Sequence, residues 1–273
     1  MSDRMYQSSK IFWLKLKRSP VMDVAKFLMV VSVLTWVLAR GTQQVGYNWQ
    51  WYQVPKYIFK FQDGEFFSGP LLLGLFMTFR ITAWGLVLSM TIGLVTALLR
   101  LSDSFFARII ARAYLELIRN TPLLVQIFFL YFVLAPIFGL NRFFAGVIAL
   151  SLFEGAYVSE IFRAGIVSIH KGQWEASHSL GLNIFDTYRC VILPQALRRI
   201  LPPLTSQAIS LIKDSALVST IAVYDLTMEG RTVIAETFLT FEIWFTIAFM
   251  YLIVTIALSI VVNILENRFR IQT

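Results

Sequence analysis

Gly172-Gln173-Trp174-Glu175-Ala176-Ser177-His178-Ser179-Leu180-Gly181, followed by Leu193-Pro194, is a polar stretch set between long apolar segments. Glu175, Ala176 and Leu180 are good helix formers. Gly181 stands where a helix C-terminus prefers glycine. The pattern predicts a two-turn helix over Gln173–Leu180. Asn183 then opens a second helix, with Asp186 three positions on in capping-box spacing. That helix is expected to run to Leu193 and to be interrupted at Pro194, which removes a backbone donor. Pro202-Pro203 is expected to re-aim the chain. A connection of about thirty residues with its own helices far exceeds the usual handful, and connections of that kind are usually functional.

The segments around it set the fold class. The chain has 273 residues, 57% hydrophobic and 15% charged, against about 25% charged in a soluble domain. Its mean hydropathy is +0.68. That much apolar surface calls for a bilayer. Six segments reach or approach the ~20 residues that cross a bilayer core: Pro20–Ala39, Leu71–Leu99, Pro122–Leu140, Phe143–Ile166, Pro203–Tyr224 and Glu242–Leu265. Pro20, Pro70 and Pro122 sit at expected first helical positions, where a missing N–H costs nothing. Ser19 and Thr121 are placed to cap the first turns. Ser104–Asn120 is amphipathic, with Phe105, Ile109, Tyr114 and Leu117 recurring against Arg108, Arg112, Glu116 and Arg119. It reads as an interfacial helix or as the cytoplasmic extension of a span. The expected fold is therefore an all-α integral membrane bundle.

Several function classes recede. One cysteine, Cys190, excludes an intrachain disulfide framework. His170 and His178 share one polar loop without the further ligands that a closed metal site needs, so no metal is expected. The net charge of +8 is distributed as short basic clusters beside apolar runs, the pattern of membrane-flanking loops rather than of a nucleic-acid face. With the N-terminus inside, seventeen Lys and Arg fall on inner segments and four on outer ones. The positive-inside bias then places both termini and the 167–202 loop in the cytoplasm. Pro20–Ala39 follows a long basic region and reads as a retained anchor helix rather than a cleaved signal peptide.

Charged residues inside spans point to function. Arg80, Glu154, Lys213, Asp214 and Glu160 lie within or at the ends of spans, where facing lipid would cost ~2.5 kcal/mol or more each. They should face the protein interior or an aqueous path. A solute bearing both a carboxylate and an ammonium group would find a partner for each here. Arg80 could hold the first through its fork of donors, and Glu154 could hold the second; a structural ion pair between the two is the competing reading. Tyr157 and Asp214 are assigned to the same path. Glu160 and Arg163 share a helix face and suggest a structural or gating pair, as do Glu116 and Arg119.

The order Glu175-Ala176-Ser177, then Gly181, then Leu193-Pro194 resembles the cytoplasmic "EAA" loop of ABC importer permeases. Three further stretches are similar to the polar amino acid (histidine/glutamine/glutamate) branch of that family: Glu116–Gln126, Glu154–Ile166 and Leu211–Ile221. The similarity covers roughly residues 68–268. It implies a five-helix permease core over 68–273 with the coupling loop 167–202. Residues 1–67 would then supply a cytoplasmic N-terminus, one extra transmembrane helix and an outer loop. It further implies an ATP-driven importer of the bacterial inner membrane for polar amino acids, glutamate/glutamine/aspartate-like solutes being favoured. The implied partners are an ABC ATPase dimer, a sister permease or second copy, and an extracytoplasmic solute-binding protein. The loop would dock into the ATPase through Gly172, Gln173, Glu175, Ala176, Ser177, Gly181 and Pro194. Ser177 should fit a groove, and the bulkier His178 should face away from it. The chain has no G-x-x-x-x-G-K-[ST] phosphate cradle, so ATP would be bound and hydrolysed by the partner, and no cofactor or enzyme activity is expected in this chain. An ion-coupled secondary transporter or channel is the alternative; it usually shows an internal repeat with broken helices, and no repeat is visible.

Overall fold

The computed structural model describes residues 20–62 and 65–269. The cap expected from Ser19 lies outside them. The chain divides into two compact units, Met1–Gln50 and Trp51–Thr273. The first contains one long helix, α1 (Pro20–Val45), and its Met22–Gly41 stretch is long and apolar enough to cross a membrane.

In the second unit, a short helix α2 (Pro55–Ile58) leads into an antiparallel hairpin, β1 (Phe59–Gln62) against β2 (Glu65–Ser68). The helical bundle follows. α3 (Pro70–Leu101) starts on Pro70 at its first helical position, as expected. α4 (Phe105–Arg119) is capped by Ser104, whose hydroxyl accepts from Ala107 N. Past Asn120 the chain bends by 106° into α5 (Leu123–Phe128), a π-helical segment Phe129–Leu134 and α6 (Ala135–Phe138). α7 (Arg142–Val167) is capped by Asn141. α8 (Lys171–Ser179), α9 (Ile184–Asp186) and a π-helical segment Thr187–Ile192 make the polar connection. α10 (Leu193–Asp214), a 3-10 segment Ser215–Ile221, α11 (Leu226–Thr237) and α12 (Thr240–Phe269) complete the unit.

Several sequence expectations change. The segment at 122–140 is not one regular helix; with α4 it forms a pair bent by 106°, the geometry of a broken span or a re-entrant loop. Thr121 does not cap it: its hydroxyl donates to Leu117 O at 2.9 Å and accepts from the Gln126 side chain at 2.8 Å. Pro194 does not interrupt the second loop helix, because the π-helical turn ahead of it places Pro194 in the first turn of α10, where its missing donor is harmless. Pro202 and Pro203 likewise sit inside α10 rather than re-aiming the chain, with the Thr205 hydroxyl bonding Pro202 O at 2.7 Å. The span expected at 203–224 is thus the second half of α10 plus the 3-10 segment. By length and composition, four helices among the described residues can cross a membrane, or five with the bent pair.

α3 and α7 form the axis of the bundle, and small residues let them approach. A Cβ on Gly155 would stand 2.9 Å from Ile92 Cγ2, and one on Gly93 would overlap the Val158 side chain. Without a hydrophobic drive between helices in lipid, such close packing is what holds them. The main core joins Ile81, Ile127, Leu150, Leu211 and Val218 from five segments. A second cluster, with Leu71, Leu226, Leu239 and Ile243, fixes α11 against α3 and α12. There Asp225 Oδ1 caps α11 by accepting from Met228 N at 2.9 Å, and the Tyr251 hydroxyl donates to Oδ2 at 3.4 Å. Asp225 is fully buried, and burial outweighs these bonds, pushing its carboxyl up to about 6.

Candidate functional site

Two regions concentrate the polar chemistry: the connection between α7 and α10, and a pair of cavities along α4.

In the connection, the His170 ring accepts from Gly172 N at 3.0 Å and opens α8. Gly181 closes it with φ +74°. Gly181 N bonds His178 O at 2.9 Å and Leu182 N bonds Ser177 O at 3.1 Å, the paired bonds of a Schellman motif. Asn183 then caps α9, Oδ1 accepting from Asp186 N at 2.8 Å, as its spacing implied. The helix is fastened from behind: Trp174 lies edge-on to Tyr188 with centroids 5.2 Å apart and packs on the cluster of Ile166, Ile192 and Ala196. Ser177 departs from the expectation of a groove contact. It is 1% exposed and its hydroxyl bonds Trp174 O, so it seats the helix on the protein's own base. Gln173, Glu175, Ala176, Gly181 and Pro194 are exposed, and Gly172 partly so. His178 is exposed and turned back onto Trp174 O at 2.6 Å. Sequence reasoning missed the apolar tip beside them. Leu180, Ile184 and Phe185 are each more than two-thirds exposed, and the signal was three large apolar residues in a polar loop. Cys190, on the π-helical segment, is also exposed.

The expected path residues separate. Arg80 is exposed, its guanidinium 5.6 Å over the Phe143 ring, and makes no ion pair with Glu154. Glu154 is 1% exposed. Its Oε2 accepts from the Gln207 amide of α10, the Asp214 carboxyl lies beside it, and its Oε1 is buried without a partner. The structure therefore joins Glu154 to Asp214 and leaves Arg80 apart.

Tyr157 lines a cavity of about 280 Å³ with Leu115, Glu116, Arg119 and Asn120. The expected Glu116–Arg119 pairing is absent: Glu116 accepts from the Asn120 amide at 2.8 Å, and Arg119 reaches to Glu160 at 3.4 Å. The expected Glu160–Arg163 pair is present at 3.1 Å, and Arg100 also bonds Glu160. One carboxylate thus gathers arginines from α3, α4 and α7. A second cavity, about 170 Å³, is lined by Arg100, Leu101, Arg108, Arg112 and Arg163. The signal for Glu116, Arg119 and Asn120 was the break Asn120-Thr121-Pro122 inside an apolar region, since broken membrane helices commonly border solute sites.

Comparison with known proteins decides the family. The description "Binding-protein-dependent transport system inner membrane component" matches residues 89–271. The chain belongs to that family. It is a multi-pass inner-membrane permease component, not an enzyme. The chain is 43% identical over 206 residues to the glutamine transport system permease protein GlnP of Escherichia coli (strain K12), covering 74% of this chain and 94% of that one. It is 41% identical over 203 residues to the L-cystine transport system permease protein TcyB of Bacillus subtilis (strain 168), covering 73% and 86%. A crystal structure of an amino acid ABC transporter with histidines superimposes at TM-score 0.69 and 38% identity, covering 73% of this chain and 94% of that one. An inward-facing MetNI methionine ABC transporter chain shares the fold at TM-score 0.65 and 18% identity, covering 74% and 97%.

Proposed function

We propose that this permease imports polar amino acids, glutamate/glutamine/aspartate-like solutes being favoured, driven by ATP hydrolysed in a separate ATPase dimer below it. The observation that carries the reading is the α8 helix. It is stiffened at both ends by caps, anchored from behind by Trp174 and Ser177, and exposes Glu175 and Ala176 beside the apolar tip Leu180, Ile184 and Phe185. An element that is rigid inward and apolar outward suits a partner groove. The 43% identity to a glutamine permease supports the amino acid class, and the charge bias supports a cytoplasmic loop with both termini inside.

The polar cavity supplies contacts for a zwitterion. Arg119 offers a donor fork for the carboxylate, and Glu116 and the Tyr157 ring face the ammonium end. Glu154, buried in this state, and the half-buried Asp214 would come into play in another. ATP binding and release below would rock α8 and shift the bundle between states that hold the solute differently. A sister permease or second copy completes the transmembrane assembly, and a solute-binding protein delivers from outside.

The test is co-purification of the tagged chain with its ATPase, followed by uptake of a labelled amino-acid panel in proteoliposomes. Glu175→Lys and Gly181→Asp are expected to lose the ATPase. Uptake by this chain without any ATPase would refute the reading.

A further inference from the structure

The cavity lined by Arg100, Arg108, Arg112 and Arg163 has four cations and a single carboxylate, Glu160, within ion-pair reach of its wall. Arg100 and Arg163 share that carboxylate. Among the described residues, the side chains of Arg108 and Arg112 form no ion pair and no hydrogen bond. They stand four apart on one helix face, where like charges repel, so the cavity is short of negative charge.

Its position gives the shortage a meaning. Arg108, Arg112, Glu116 and Arg119 recur at helical spacing along one face of α4, so the arginine cavity and the polar cavity border the same stripe. Glu160 bridges them: it bonds Arg119 of one cavity and Arg100 and Arg163 of the other. The charge bias puts the arginine cavity on the cytoplasmic side. At about 170 Å³ it has room for roughly five waters at ~30 Å³ each, enough for a carboxylate and its immediate substituents.

We propose that the four-arginine cavity is a second, release-side anion subsite, which takes the carboxylate of the departing solute as Glu160 re-engages Arg119. This rests on the amino acid import reading. It adds that the path disfavours solutes with cationic side chains. Arginine forks match carboxylate geometry, and a cationic side chain there would meet four like charges.

The experiment is equilibrium binding of radiolabelled glutamate, glutamine and arginine to the purified permease–ATPase complex without binding protein. It is run in nanodiscs of neutral lipid and again with phosphatidylglycerol. Arg108→Gln with Arg112→Gln is expected to weaken glutamate binding about tenfold, the scale of one charge-assisted bond, and arginine binding by less, because losing two cations also relieves the repulsion of its side chain. R108K with R112K, which keeps both charges but loses the planar forks, is expected to weaken glutamate binding less than the Gln pair does. Unchanged glutamate binding in the Gln pair would overturn the subsite while leaving the import reading intact. A loss in the Lys pair equal to that in the Gln pair would assign the effect to packing and overturn it too. A Gln-pair effect seen only with phosphatidylglycerol would give the cavity to a lipid headgroup instead. Wild-type complex that binds none of the three sinks both readings.

Discussion

The guanidinium of Arg119 lies 5.8 Å from the centroid of the Tyr157 ring, across a cavity that also holds Glu116 and Asn120. The contact places a cation, a π face and a carboxylate from two helices around one space. Arg119→Ala is expected to lower kcat/KM for uptake by about tenfold to a hundredfold, one or two charge-assisted bonds. Its side chain is 46% exposed, so folding should barely change. Uptake kinetics beside a melting curve of the same preparation check this; a melting loss that accounts for the lost uptake would make Arg119 structural.

Glu175 is exposed, and among the described residues its one ion pair, to Lys171 at 3.3 Å, is solvated. Such pairs contribute about 0–1 kcal/mol. Glu175→Lys should therefore leave the isolated permease as stable as before and abolish ATPase co-purification. Gly181→Ala should act differently. At φ +74° a Cβ costs about 1 kcal/mol or slightly more, so α8 should fray and ATPase retention should weaken without vanishing.

Asp225 gives a pH signature. Its folded carboxyl titrates near 6, against about 3.9 for an unstrained aspartate. The folded state then holds the proton more tightly than the unfolded one, so stability is highest below pH ~4 and falls as pH rises to ~6. Two pH steps at 1.36 kcal/mol each make this about 3 kcal/mol. Asp225→Asn keeps an N-cap acceptor and should flatten that part of the profile. Melting temperatures of both proteins across pH 4–7 test it, and parallel curves would contradict it.

Gly93 and Gly155 sit where α3 and α7 touch. Gly155→Ala should cost about 1–3 kcal/mol through overpacking on Ile92. Gly155→Leu should prevent a monodisperse preparation. Size-exclusion profiles of the two variants decide the point.

Much of this was legible in the residues, for identifiable reasons. α8, its Gly181 stop and the Asn183 cap follow from local chemistry, which sequence carries directly. The long spans follow from apolar length. The course of α10 was hidden because proline tells where a donor is missing, not whether a π-helical turn upstream or a hydroxyl such as Thr205 will absorb the loss. The partnerships of Arg80, Glu154 and Arg119 were hidden for another reason. A side chain inside a bundle bonds whatever the neighbouring helix presents. Gln207 and Glu160 stand 53 and 41 residues from Glu154 and Arg119, and nothing local encodes those distances. Ser177 shows the same limit: its small size fitted a groove, but the groove it fills is the protein's own.

Cys190 is the chain's one thiol, and the structure leaves it exposed on the segment that follows α8. The unaltered protein is therefore already a single-site labelling target. A membrane-impermeant maleimide added to sealed inside-out or right-side-out vesicles would read the sidedness of the loop without any mutation. A spin label at the same atom would report whether a second copy stands nearby and how far the two move apart when nucleotide is added.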